Sequence, residues 1–381
     1  MSADVQQISQ PHISCNSALH ILPQELWDDI IGVQRDDKRT LKACRLTCKA
    51  WQQTARLFLW RSLSIYTSQT LSRLQSLLHV TPEIAQLVHE LDMRIPELKL
   101  SFFAVFTNLR RLVTYPVGET WWDGSNNLSI NSGSLLPSVT RLVLVSAWNL
   151  SPTYIEGFLA CFPNIRTFTT TGRSALTWLY DPPCEISVIL PHLRVLSVDA
   201  SCIVPMLPSL LRSTGSSLES LELTILLHSS DLLSEVLDLT RNGRIKSLNL
   251  HVIYNEAAFT WGDPLAFALS RLNSSHTSLS EVVYHIQGLG FDDRRNPSAS
   301  NQKLLGRELA RVLEDLPQLV VVFHMEGWAQ VRPEQQRQLI VDGIKAGLEA
   351  GLDADSTLKR LRILFDFYRA RPAYEVHPLV S

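Results

Sequence analysis

The sequence predicts an α/β fold in which a small module of three helices is followed by a solenoid of short parallel strands and helices. Two observations predict it. Apolar residues recur at helical spacing between residues 22 and 63, and after residue 63 a strand-like apolar unit returns many times. Six of these units start at residues 109, 139, 165, 193, 218 and 245, which gives steps of 30, 26, 28, 25 and 27 residues.

Composition excludes several classes of protein. The chain has 381 residues and is 45% hydrophobic, so it can bury a large core. Lys+Arg number 35 against 37 Asp+Glu, and this balance argues against a general nucleic-acid-binding protein. The sequence has no long apolar run and its first 17 residues are polar, so we expect neither a membrane span nor a signal peptide. Its six scattered cysteines suggest reduced thiols in the cytoplasm or nucleus.

The chain begins with residues 1–18, a segment rich in Gln and Ser that we expect to be a disordered tail. Residues 19–63 carry the helical module. Pro23 suits the first turn of a helix, which continues as an apolar stripe through Leu26 and Ile30. Thr40 is the predicted cap of a second helix, and a third is expected from Cys48 to Phe58.

Within this module, the segments LPQELWDDII, TLKACRLTCKAW and LFLWRSL resemble an F-box, in particular the variant common in proteins of basidiomycete fungi. The resemblance covers about residues 20–63 and departs from the family at Gln34 and Thr47, where leucine and valine are usual. An F-box implies docking to a Skp-type adaptor, which joins the chain to a cullin in a ubiquitin ligase. Carried over position by position, the adaptor contacts are Leu22, Pro23, Leu26, Ile30, Ile31, Leu46 and Trp51. The alternative for some of these side chains, above all Leu46 and Trp51, is that they only build the core of the module.

Residues 64–368 form the predicted solenoid. The clearest units are Val88-x-x-Leu91-x-Met93, Val139-x-x-Leu142-x-Leu144, Leu218-x-x-Leu221-x-Leu223 and Ile245-x-x-Leu248-x-Leu250. Weaker units at Leu279-x-x-Val282, Leu319-x-x-Val322 and Leu358-x-x-Leu361-x-Ile363 follow after longer loops. The array resembles irregular leucine-rich repeats, although the asparagine usual in that family is not consistently present. Each such unit buries its apolar face only against its neighbours.

Helices are predicted between several of the strands, at residues 71–78, 207–211, 232–239 and 304–313. Two polar insertions, at 121–134 and 288–302, are expected to be loops. An amphipathic helix at 333–351 is the predicted cap of the array, and residues 369–381 are the expected C-terminal tail.

Variable positions of the strands offer a surface on which such an array binds a target protein. The predicted target-binding residues are Arg110, Arg141, Arg166, Arg194, Glu222 and Lys246, and the same rows also contain Arg111, Thr140, Glu219, Asn249, His251 and His285. The alternative is a solvated sheet face without a dedicated ligand.

The sequence contains no motif for catalysis or for cofactor binding. It has no phosphate-binding loop, no GxSxG elbow and no HExxH, and Cys44 and Cys48 lack further metal ligands at a suitable spacing. We therefore predict a non-catalytic substrate receptor of a Skp–cullin–F-box ubiquitin ligase, with no cofactor, no metal and no nucleic-acid or membrane partner. The alternative is a leucine-rich-repeat scaffold without ligase docking. An unrecognised enzyme is the third hypothesis.

Overall fold

A computed structural model of the chain gives the fold. It describes residues 22–95, 100–115, 136–145, 152–172, 185, 187–199, 206–226, 237–253, 263–289, 299–327, 359–367 and 377–378. The predicted tail at 1–18, the insertion at 121–134 and the helix at 333–351 lie outside these residues.

The strands form one sheet whose spatial order is the order of the chain. From β1 to β11, every strand pairs in parallel with the next, while β12 is antiparallel to β11. This confirms an α/β fold with a parallel sheet, and the sequential strand order is compatible with a solenoid-like repeat. The strands are β1 Ser62–Ile65, β2 Glu90–Met93, β3 Arg111–Thr114, β4 Arg141–Val145, β5 Thr167–Thr171, β6 Val195–Asp199, β7 Ser220–Leu226, β8 Ser247–Ile253, β9 Glu281–Leu289, β10 Val320–Gly327, β11 Leu361–Phe367 and β12 His377–Pro378.

Helices precede the sheet and connect its strands. In the described ranges they are α1 Gln24–Val33, α2 Lys38–Thr47, α3 Lys49–Arg61, α4 Ser68–Val80, α5 Ile84–Leu87, α6 Pro152–Ala160, α7 Leu207–Thr214, α8 Asp263–Ser270 and α9 Ala299–Asp315. The predicted helices at 71–78, 207–211 and 304–313 fall within α4, α7 and α9. Residues 237–239 of the predicted helix at 232–239 are not helical, and residues 232–236 lie outside the described ranges. None of the described helices is both long and apolar enough to cross a lipid bilayer.

The apolar positions of the repeated units form the core of the array. One row of side chains runs in register across seven strands, and each member is 0% exposed. The row consists of Leu112, Leu142, Phe168, Leu196, Leu221, Leu248 and Val282. Because every member packs against the strands on both sides, the burial of one unit depends on its neighbours.

The unit at β10 differs from the prediction. Val321, rather than Val322, lies beside Val282, and the strand buries Leu319, Val321 and Phe323 at 0% exposure. In register, the predicted spacing Leu319-x-x-Val322 is therefore wrong by one residue, and Val322 is itself also buried, at 5% exposure. His324 consequently lies beside His285 in the sheet.

Two predicted irregular segments contain regular structure. The expected loop at 288–302 is shortened at both ends, since β9 continues to Leu289 and α9 begins at Ala299. Within the expected tail at 369–381, residues 377–378 pair with β11.

The helical module has a small core of its own, separate from that of the sheet. Ile31, Leu41 and Ala55 are buried together, one from each of the first three helices. Asp37, not the predicted Thr40, caps α2, because its carboxylate accepts the N–H groups of Arg39 and Thr40 at 2.9 and 3.1 Å. These contacts also lower the pKa of Asp37, with the Thr40 hydroxyl as the largest contribution.

Candidate functional site

The first candidate site is the set of exposed apolar side chains on the helical module, Leu26, Ile30 and Val33 on α1 and Leu46 on α2, which together we call the apolar surface. Leu26 and Ile30 are four residues apart on α1, and Ile30 and Val33 are three apart. The three side chains therefore share one face of that helix. The exposed fractions are 46% for Leu26, 49% for Ile30, 78% for Val33 and 86% for Leu46. Exposed apolar side chains mark an interaction site when they form a contiguous patch, whereas singly exposed ones are common on protein surfaces.

The predicted Leu-Pro start lies at the beginning of α1. Leu22 is half-buried and Pro23 is exposed. Pro23 is the N-cap residue rather than the first helical residue, and its carbonyl accepts the N–H of Leu26 at 3.1 Å. Both residues therefore lie within the turn that precedes Leu26.

Ile31 and Trp51 are predicted contacts that lie inside the module. Ile31 is 1% exposed and belongs to the core. Trp51 is partly buried against that core and packs on Trp27, with 4.8 Å between ring centroids. Neither indole N–H has a hydrogen-bond partner in the described part of the chain. These two residues thus lie in or against the core of the module, whereas Leu46 is exposed.

The two departures from the F-box pattern are both exposed. Gln34 ends α1, and its backbone N–H donates to the Ile31 carbonyl at 3.0 Å. Thr47 ends α2, and its hydroxyl donates to the Ala43 carbonyl at 3.1 Å. Neither side chain is placed in the core, so neither substitution disturbs the packing of the module.

Next to Leu46, an open cleft of about 670 Å³ lies between α2 and α3. Three cations line it, Lys42, Arg45 and Lys49, together with Cys48 and Gln52. The apolar surface is therefore bordered on one side by positive charge.

The second candidate site is on the sheet. Most of the predicted target-binding arginines occupy the residue just before a strand, and backbone hydrogen bonds align them. The N–H of Arg194 donates to the Arg166 carbonyl at 2.9 Å, and that of Arg166 to the Thr140 carbonyl at 2.8 Å. Arg141 is the first residue of β4 and pairs in register with Arg111. We call the exposed or half-exposed arginines Arg110, Arg111, Arg141, Arg166 and Arg194 the basic strip.

Lys246 is separated from the basic strip by an acidic residue. Glu219 continues the same row and lies between Arg194, at 3.5 Å, and Lys246, at 2.7 Å. The hydrogen bond from Lys246 is the largest cause of the lowered pKa of Glu219. The structure therefore places Lys246 with Glu219 and not in a continuous basic surface.

Glu222 lies at one end of a third arrangement, a row of three histidines. We call this row the histidine ladder, and its members are His251, His285 and His324. These residues lie side by side on β8, β9 and β10. Glu222 contacts His251 Nε2 at 3.1 Å, and the rings of His251 and His285 stack with 4.0 Å between centroids. The two Nδ1 atoms of His285 and His324 are 2.7 Å apart, so one ring donates its N–H and the other accepts it.

This arrangement lowers the pKa values of His285 and Glu222. Burial lowers the pKa of His285 from 6.5 to about 4, helped by the neighbouring His251 and His324. The hydrogen bond from His251 lowers the pKa of Glu222. At neutral pH the centre of the ladder is therefore uncharged and its Glu222 end is anionic.

His324 is the member that the sequence did not indicate, because the unit at β10 was assigned one residue out of register. Its Nε2 atom is buried and has no hydrogen-bond partner among the described residues. In that same part of the chain, no group of three or more His, Cys, Asp or Glu residues is arranged to bind a metal ion. Burial raises the pKa of the Cys161 thiol to about 11, so this cysteine is not an activated nucleophile.

No protein-family model matches the chain, and no curated protein matches it significantly.

Proposed function

We propose that the chain is the substrate-recognition subunit of a Skp–cullin–F-box ubiquitin ligase in the cytoplasm or nucleus. Residues 19–63 act as the F-box and dock to the Skp-type adaptor, and through it to a cullin. The sheet acts as an irregular leucine-rich-repeat array that binds a target protein. The chain itself performs no chemistry; it raises the local concentration of the target at the ligase.

The observation that carries this proposal is the apolar surface of the module. Leu26, Ile30 and Leu46 are predicted from the F-box resemblance to touch the adaptor, and all three are close to half exposed or more. Between residues 22 and 63, three apolar residues are buried in the core of the module, and so small a core leaves these side chains in water. Binding to an adaptor would remove them from water.

Contacts between the module and the first part of the array support the proposal that a bound target is held in a fixed position relative to the adaptor. Helix α3 ends at Arg61, directly before β1, and Lys38 Nζ donates to the Ser62 carbonyl at 3.3 Å. Arg56 of the module also lies 3.9 Å from Glu83 of the array. An adaptor bound to the module would therefore hold the first strands of the array in a defined position.

Co-purification with a Skp-type adaptor tests the proposal. We expect the wild-type chain to bind, and the double variant Leu26→Asp with Ile30→Asp to bind at least about 30-fold more weakly, as for a hot spot of an interface. The matched control is Ile189→Asp, since Ile189 is 75% exposed but lies in the array; it should bind as wild type does.

A wild-type chain that fails to bind any Skp-type adaptor would overturn the proposal. The alternative of a repeat scaffold without ligase docking would then be favoured. Equal binding by the double variant would instead show that the adaptor uses another surface.

A further inference from the structure

The basic strip carries more positive charge than its surroundings neutralise. Arg111 contacts Glu90 at 3.6 Å, and Arg194 shares Glu219 with Lys246. Arg110, Arg141 and Arg166 are exposed and form no ion pair with any other described residue. The three successive strands β3, β4 and β5 therefore each contribute one arginine without a counter-ion in this part of the structure.

The arrangement also places like charges together. Arg111 and Arg141 are direct neighbours in register on β3 and β4. Adjacent like charges on paired strands are unfavourable; Glu90 offsets the charge of Arg111, and an anion bound at Arg141 would offset the other.

Acidic residues mark both ends of the strip. Glu90 lies on β2 at one end, and Glu219 precedes β7 at the other. The strip therefore spans β3 to β6, which is about 14 Å at the usual separation of paired strands. An extended peptide of about five residues covers that length.

We propose that the basic strip binds a short acidic segment of a partner protein, with carboxylates of the segment paired to Arg110, Arg141 and Arg166. One cation per strand suits a run of separate carboxylates, each of which takes one guanidinium. A long nucleic acid fits less well, because the acidic ends limit the strip and the whole chain has a net charge of -2. This inference rests on the target-binding half of the proposed function and gives that target a chemical class.

Fluorescence anisotropy on the full chain tests it. The probe is a fluorescein-labelled peptide with six consecutive glutamates, compared with the same peptide carrying glutamines. We expect binding of the glutamate peptide only, and weaker binding as NaCl is raised. The triple variant Arg110→Glu, Arg141→Glu and Arg166→Glu should bind at least about tenfold more weakly, from three lost ion pairs and added repulsion.

A charge-matched control separates the strip from the overall charge. Arg73, Arg307 and Lys359 are exposed residues outside the strip, and their triple change to Glu should alter binding by less than about twofold. Circular dichroism of both triple variants serves as the control for folding. Because the assay contains no adaptor, a failure of adaptor docking leaves its outcome unchanged.

Three outcomes would overturn the inference. They are the absence of binding to the glutamate peptide, equal losses in the strip and control variants, and equally tight binding of a six-nucleotide oligouridylate. The last would assign the strip to single-stranded nucleic acid.

Discussion

The helical module leaves several large apolar side chains exposed, whereas the sheet buries a whole row of them. Among the described residues, nine large apolar side chains are exposed, and five of them, Leu26, Ile30, Val33, Leu46 and Leu57, lie in the module. In the sheet, a whole row of apolar side chains from β3 to β9 is 0% exposed. The sheet can bury its apolar positions because each strand has neighbours on both sides, whereas three short helices have too little interior. The comparison teaches that the module leaves large apolar side chains exposed to solvent, whereas the sheet keeps its apolar row inside and exposes polar and charged groups.

The largest expected effect tests whether the array is one cooperative unit. Phe168 is 0% exposed in the central row. The change Phe168→Ala should lower the free energy of unfolding by about 3–5 kcal/mol, because a large cavity remains in the core. Urea denaturation followed by circular dichroism measures this loss. Loss of structure confined to β5 would contradict the cooperative description, and Thr169→Ala, on the half-exposed side of the same strand, is the control.

The next effect concerns the core of the module. Leu41 is 0% exposed, and Leu41→Ala should destabilise the module by about 3 kcal/mol. Since this core is separate from that of the sheet, hydrogen exchange should accelerate in α1 to α3 and remain slow in the central strands. Equal acceleration in both regions would show that the two cores unfold together.

An intermediate effect is the pH dependence of the histidine ladder. Because the pKa of His285 is lowered from 6.5 to about 4, the unfolded chain binds more protons than the folded chain between these values. Stability is therefore lost as pH falls from 6.5 to about 4, and we expect this group to contribute about 2 kcal/mol of that loss.

The groups that face His285 are His251, His324 and Glu222. The lowered pKa of Glu222 acts in the same direction at lower pH, since its stabilisation is lost as the carboxylate becomes protonated. Urea denaturation at a series of pH values, with wild type and His285→Gln in parallel, measures the contribution of His285. An equally steep pH dependence in the variant would assign the effect to other groups.

The smallest expected effect on stability compares an exposed leucine with a buried leucine of the same helix. Leu46 is on the same helix as Leu41 but is 86% exposed. Leu46→Ala should change the free energy of unfolding by less than about 0.5 kcal/mol. A large destabilisation would show that Leu46 builds the module, and would remove it from the proposed docking surface.

Much of the fold follows from the sequence because burial in a repeated unit is a local property. The apolar residues of the units at 139, 193 and 218 are buried where their spacing predicts, since side chains alternate between the two faces of a strand. The sequence does not distinguish the exposed Leu26, Ile30 and Leu46 from the interior Ile31, because all four are apolar residues on short helices. Their placement depends on how the helices pack against one another.

The sequence by itself determined the α/β class, the helices at residues 22–63 and most of the residues that line the core of the sheet. Only the tertiary structure decided which polar residues lie side by side. Arg141 beside Arg111, Glu219 between two cations, and His324 beside His285 are all set by strand register. Connections of different length join these strands, so separation along the chain does not reveal which residues become neighbours. The hydrogen bonds between adjacent strands fix that choice.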